Sequence, residues 1–124
     1  MAITSMVYQA QAGDGVKKKR LKRPNSFFNT PEEAVSEALG LKEKMDSTYK
    51  NEIEWDYKWK MTGSSDKMKI LKGYLGGDKE SIAFYLQITS LELQADYKMG
   101  TPIKPKKVTA KDKKVITKVS KLYV

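Results

Sequence analysis

The chain contains neither cysteine nor histidine, and no hydrophobic run approaches the roughly 20 residues that a membrane-spanning helix needs. Without cysteine there is no disulfide framework, thiolate nucleophile or cysteine metal site, and without histidine there is no imidazole base or ordinary zinc site. We therefore expect no metal, no cofactor and no membrane partner.

The first twelve residues lack a charged segment followed by a long apolar block, so we expect no secretory signal peptide. We expect the protein to act inside a cell or in a virus particle. A length of 124 residues predicts a single domain.

Positive charge is concentrated at the two ends of the chain, whose net charge is +9. Residues 1–30 carry six cations against one carboxylate, and residues 100–124 carry eight lysines against one carboxylate. Residues 31–99 carry 10 cations and 13 carboxylates, so the middle is mildly acidic. This layout predicts a compact core at 31–99, with a basic N-terminal arm at 1–30 and a basic C-terminal arm at 100–124.

One helix is predicted over residues 31 to about 47. Thr30 suits the N-cap, Pro31 the first helical position, and Glu33 completes a capping box. Apolar residues then recur at helical spacing, while Gly40 weakens the centre and could bend or end the helix there.

Alternating patterns predict strands between about 51 and 99. Residues 53–61 place aromatic and apolar side chains on one face and charges on the other. Residues 67–75 predict a second strand, although Ile70, Leu71, Tyr74 and Leu75 also fit a helix. Residues 82–99 alternate with a slip at Thr89–Ser90, which predicts a bulge or bend, and a helix over 78–99 is the alternative.

The two ends are less defined by their patterns. Residues 1–16 fit a short strand or an extended arm. Near the C-terminus, apolar residues from Val115 onward follow helical spacing after a capping pair of Thr109 and Asp112, which favours a short helix over a strand. The predicted fold class is α+β, with the N-terminal helix packed on a small antiparallel β-meander.

No recognisable catalytic motif occurs in the chain. The carboxylates of the middle segment form no known acid–base pattern, and the glycines at 73–77 lack the spacing of a phosphate-binding loop. We expect no enzymatic activity and identify no small-molecule substrate.

The end cations are the candidate binding residues for nucleic-acid phosphates or an acidic partner. They are Lys17, Lys18, Lys19, Arg20, Lys22 and Arg23 at one end, and Lys104, Lys106, Lys107, Lys111, Lys113 and Lys114 at the other. Lysines outnumber arginines by 22 to 2, which favours diffuse attraction to phosphates over reading of base edges.

The aromatic residues Trp55, Tyr57 and Trp59 lie on one face of the predicted strand. They could stack on unpaired bases. However, the predicted helix must bury its apolar face somewhere, so we expect these aromatics to form the core.

The leading functional hypothesis is a non-enzymatic structural component of a large assembly, such as a virus particle or a ribonucleoprotein. Its core would dock on other protein subunits, and its arms would contact nucleic-acid phosphates or acidic protein surfaces. One alternative is a freestanding, weakly specific nucleic-acid-binding protein. Another is a small accessory or inhibitor protein that binds an acidic protein surface.

Overall fold

The computed structural model describes residues 4–21, 27–50, 52–57, 62–63, 67–76, 83–94, 102–103 and 105–122. They form, in order, β1 (Thr4–Asp14), β2 (Lys19–Leu21), α1 (Pro31–Thr48), β3 (Ile53–Asp56), β4 (Thr62–Gly63), β5 (Lys67–Leu75), β6 (Ala83–Gln94) and α2 (Ala110–Leu122). The predicted α+β class is confirmed.

Helix α1 begins where its capping signals predicted. The Glu33 N–H donates to Thr30 Oγ1 at 3.2 Å, and the Thr30 hydroxyl donates to Glu33 Oε1 at 3.1 Å. The helix continues through Gly40 to Thr48. A Cβ at Gly40 would lie 3.2 Å from the carbonyl oxygen of Ile103, so this glycine permits close packing of a later segment on the helix.

The strands form one antiparallel sheet in the order β2-β1-β6-β5-β3, with β4 paired to β5. Strand β1 is an interior strand that lies between β2 and the central strand β6. It pairs with β6 over an unbroken register from Thr4 opposite Gln94 to Gly13 opposite Tyr85. The pattern of residues 1–16 fits either a short strand or an extended arm. In the structure residues 4–14 form a strand, because they pair with the edge of β6.

The expected division into a core and two arms does not hold for the described residues. Val7, Ala10 and Ala12 of β1 are buried, as are Val115 and Val119 of α2. Both ends therefore contribute to the folded domain. A count of charges ignores the small apolar residues that lie between the charged ones. Burial of those apolar residues attaches both ends to the domain.

The irregularity in the sheet lies in β5 and not at Thr89–Ser90. The pairing of β5 with β6 shifts between Lys69 and Leu71, and Ile70 and Leu71 are both buried. A bulge lets two successive side chains face the same side of the sheet. Residues 83–94 form a strand, which excludes the helical alternative there, while residues 95–100 lie outside the described part of the chain.

Helix α2 confirms the predicted C-terminal helix and its capping pair. The Asp112 N–H donates to Thr109 Oγ1 at 3.1 Å, and the Thr109 N–H donates to Asp112 Oδ2 at 3.2 Å. Both helices contribute to the same apolar cluster as the sheet. Neither has the length and apolarity that crossing a membrane requires.

Candidate nucleic-acid interface

The described N-terminal cations lie in and beside the turn that joins β1 to β2. Lys17 and Lys18 are exposed in the turn, Lys19 and Arg20 belong to β2, and Lys22 and Arg23 lie outside the described residues. The buried Asp14 organises this turn, because its Oδ1 accepts from the N–H groups of Val16 and Lys17 at 3.0 Å each. The four described cations, Lys17 to Arg20, thus belong to a tight hairpin.

Tyr49, at the C-terminal end of α1, connects the turn to the helix. Its hydroxyl lies 2.8 Å from each carboxylate oxygen of Asp14, and the Lys17 ammonium lies 5.9 Å from the centre of its ring. Burial, with the hydrogen bond to Asp14 as the second cause, raises the pKa of Tyr49 to about 12. The phenol therefore stays protonated and donates to the carboxylate at neutral pH.

The linker before α2 (residues 102–103 and 105–109) is held along α1 by two glutamates. The buried Glu37 accepts from the Ile103 N–H at 2.8 Å. Glu43 accepts from the N–H groups of Lys106 and Lys107 at 2.8 and 3.4 Å. The side chains of these two lysines are exposed, while Lys104 lies outside the described residues.

Helix α2 presents a row of lysines beside its buried face. Lys111, Lys114 and Lys118, which we call the lysine row, follow i, i+3, i+7 spacing and so share one side of the helix. All three are exposed. None of them forms an ion pair with another described residue, although the Lys111 ammonium lies 5.6 Å from the centre of the Tyr57 ring. Lys113 is also exposed on α2.

The lysine row borders a groove between β3 and α2. This β3–α2 groove has a volume of about 600 Å³, within the usual range of roughly 300–1,000 Å³ for small-molecule sites. Its lining comprises Trp55, Asp56, Tyr57, Lys111, Lys114, Val115 and Lys118. The fold therefore brings together two predicted groups, the aromatic residues of the middle segment and the lysines of the C-terminal segment.

Hydrogen bonds to acidic residues fix the two aromatic side chains. Trp55 Nε1 donates to Asp46 Oδ1 at 2.9 Å, and the Tyr57 hydroxyl donates to Asp112 Oδ1 at 2.7 Å. Burial, reinforced by the bond to Asp112, raises the pKa of the Tyr57 phenol. Both rings pack on the apolar cluster, as expected for core residues, yet both also line the groove. Trp59 lies outside the described residues.

Lys42 of α1 partly compensates the charge of two carboxylates behind the aromatic wall. Its ammonium lies 3.4 Å from Asp46 and 3.9 Å from Asp112. It also lies 5.5 Å from the centre of the Trp55 ring. Among the described residues that line the groove, Asp56 is the single carboxylate against three lysines, so the groove favours an anionic ligand.

Sequence analysis missed Lys118 and Lys42 as members of this region. The regular spacing of Lys111, Lys114 and Lys118 would have identified the row once α2 was accepted as a helix. Nothing in the sequence placed α2 beside β3, because the two elements are more than fifty residues apart.

Comparison with family models, curated proteins and solved structures finds no match to this chain. Within the described residues, no cluster of carboxylates suited to a metal ion occurs. The function must therefore be argued from the groove and its charges.

Proposed function

We propose that this protein is a non-enzymatic nucleic-acid-binding protein that holds phosphate groups with the lysine row of α2. The observation that carries the proposal is the placement of Lys111, Lys114 and Lys118 on one exposed side of a helix, beside an aromatic groove and without ion pairs to other described residues. Lysine ammonium groups attract phosphates without reading base edges, so binding is weakly dependent on sequence.

The length of the row suits a nucleic-acid backbone. Lys111 and Lys118 are seven residues apart, which corresponds to about 10 Å along the helix. Each strand of duplex DNA carries one phosphate for roughly every 3.4 Å of helix axis, so a row of this length can face more than one phosphate. Since Val115 and Val119 anchor α2 to the core, the row is held in place before a ligand arrives.

Membership of a large assembly stays a prediction. That prediction depends on two arms outside the core, whereas the described parts of both segments belong to the fold. Nothing in the described surface favours docking on protein subunits over binding of nucleic acid alone. An acidic protein surface would attract the same lysines, and the aromatic wall of the groove is the feature that favours nucleic acid.

The test is a measurement of binding to a short DNA or RNA strand over a range of salt concentrations. Each lost lysine–phosphate contact should lower the slope of log K against log salt by about 0.7 for a single strand. The double variant Lys114→Gln/Lys118→Gln should therefore lower the slope by about 1.4.

The matched control is Lys44→Gln/Lys67→Gln, which removes the same charge from exposed positions outside the groove. It should change the slope by much less than the α2 pair. Equal effects of the two pairs, or no binding at low salt, would reject the proposal. Tight binding of polyglutamate together with weak binding of nucleic acid would assign the row to an acidic protein partner.

A further inference from the structure

We infer that the β3–α2 groove binds an unpaired base of a single-stranded nucleic acid, with the flanking phosphates on Lys114 and Lys118. The inference rests on the proposed function and adds the class of nucleic acid and the part of it that enters the groove. It follows from the shape, lining and surroundings of the groove.

One wall of the groove is aromatic and consists of Trp55 in β3 and Tyr57 just after it. The Trp55 and Tyr57 side chains are each only partly buried and line a space of about 600 Å³. Bases pack well against aromatic rings, and this contact tolerates any base because every base has a π face. The opposite wall combines the apolar side chain of Val115 with the stems and ammonium groups of the lysine row.

A duplex cannot use this groove in the same way. Its bases are paired and stacked on each other, so that only their edges are accessible from outside. A single strand can turn one base out against the aromatic wall without losing base pairs. The groove therefore favours single strands, while the exposed lysines attract both forms.

The cationic surface extends beyond the groove, which favours a strand over a free nucleotide. Lys113, Lys114, Thr117 and Lys118 line a second shallow depression on α2, and Lys121 lies exposed one turn further on. From Lys111 to Lys121 the helix advances about 15 Å. A surface of that length can contact several consecutive phosphates.

The experiment compares the affinities of the protein for four ligands. They are a single-stranded oligonucleotide, an abasic strand with the same sugar–phosphate backbone, the duplex form of the oligonucleotide, and a mononucleotide. The chain has two tryptophans, so the Trp59→Phe variant leaves Trp55 as the reporter. We expect the oligonucleotide to quench Trp55 fluorescence. It should also bind about fivefold or more tightly than either the abasic strand or the duplex.

The outcomes separate the inference from the function on which it rests. Equal affinity for the abasic strand and the base-containing strand, or preference for the duplex, would overturn the inference and leave phosphate binding by the lysine row intact. A mononucleotide that binds as tightly as the strand would assign the groove to a small ligand. If none of the four ligands bound at low salt, both the proposed function and the inference about the groove would be rejected.

A protein variant gives a second measurement that does not depend on fluorescence. Tyr57→Leu removes one aromatic ring from the wall and should reduce the preference for the base-containing strand over the abasic strand. The ratio of the two affinities is unaffected by any fraction of unfolded variant, since that fraction lowers both equally. An unchanged ratio in both Tyr57→Leu and Trp55→Leu would contradict the inference.

Discussion

The turn between β1 and β2 and the helix α2 are both rich in lysine, yet they present their charge in different surroundings. Lys17 and Lys18 lie at a hairpin tip held by Asp14 and Tyr49. The lysine row instead borders a groove with an aromatic wall. Charge density is therefore insufficient to define a binding site, because a ligand also needs a surface to contact beside the charge.

The largest expected effect concerns the anchor of the turn. Asp14→Ala should lower the free energy of unfolding by about 3 kcal/mol, since it leaves the Tyr49 hydroxyl and two backbone N–H groups without their acceptor. Urea denaturation measures this loss. Asp14→Asn keeps one side-chain oxygen and should cost less. A change below about 1 kcal/mol for the alanine variant would mean that the turn is not anchored as described.

The second prediction tests the attachment of α2. Val119 is completely buried, so Val119→Ala should lower the free energy of unfolding by about 2 kcal/mol. The exposed Lys121 on the same helix is the control, and Lys121→Ala should stay within about 0.5 kcal/mol of the parent. If both variants changed the free energy of unfolding by a negligible amount, the C-terminal segment would be an arm and not part of the core.

The third prediction compares the two lysine groups directly. Lys114→Gln/Lys118→Gln should weaken binding of a single strand by roughly tenfold for each lysine at about 50 mM salt, because two phosphate contacts are lost. Lys17→Gln/Lys18→Gln should weaken it by no more than about threefold, through loss of long-range attraction. Filter binding or fluorescence anisotropy measures both. A larger loss for the turn pair would move the site to the hairpin.

The smallest expected effect is a dependence of stability on pH above neutrality. The Tyr49 phenol has a pKa of about 12 in the folded protein and 10.0 as its ordinary value, so its stabilising contribution is complete below pH 10.0. That contribution is lost as the pH rises toward 12, because the unfolded chain releases this proton first.

Tyr49→Phe should abolish this part of the pH dependence. The measurement is the difference in melting temperature between parent and variant from about pH 9 to about pH 11, which cancels the common titration of the lysines. The difference should shrink as the pH rises. A constant difference over this range would show that Tyr49 does not titrate with a raised pKa.

Local patterns predicted most of the individual elements. The capping residues at Thr30 and Thr109 identified the starts of both helices, since a side chain that accepts from the first turn acts over only three residues. Alternation favoured a strand over a helix for β6 for the same reason, because neighbouring side chains of a strand point to opposite faces. The bulge at Ile70 was not predicted, since it depends on which partner strand each residue meets.

The candidate site was harder to predict than the elements that form it. Trp55, Tyr57, Lys111 and Lys114 were each singled out from the sequence, as separate groups with separate roles. These residues lie together because α2 packs against α1 and beside β3. That packing consists of contacts between distant parts of the chain. No local signal encodes such a contact.

The amino-acid sequence alone determined the class of the fold, the position of both helices, the excess of lysine and the absence of cysteine and histidine chemistry. Tertiary structure decided that β1 is an interior strand of the sheet, that α2 is part of the domain, and that three lysines border an aromatic groove. The physical reason is that capping and alternation act between near neighbours, whereas burial of apolar surface acts between any residues that the fold brings together.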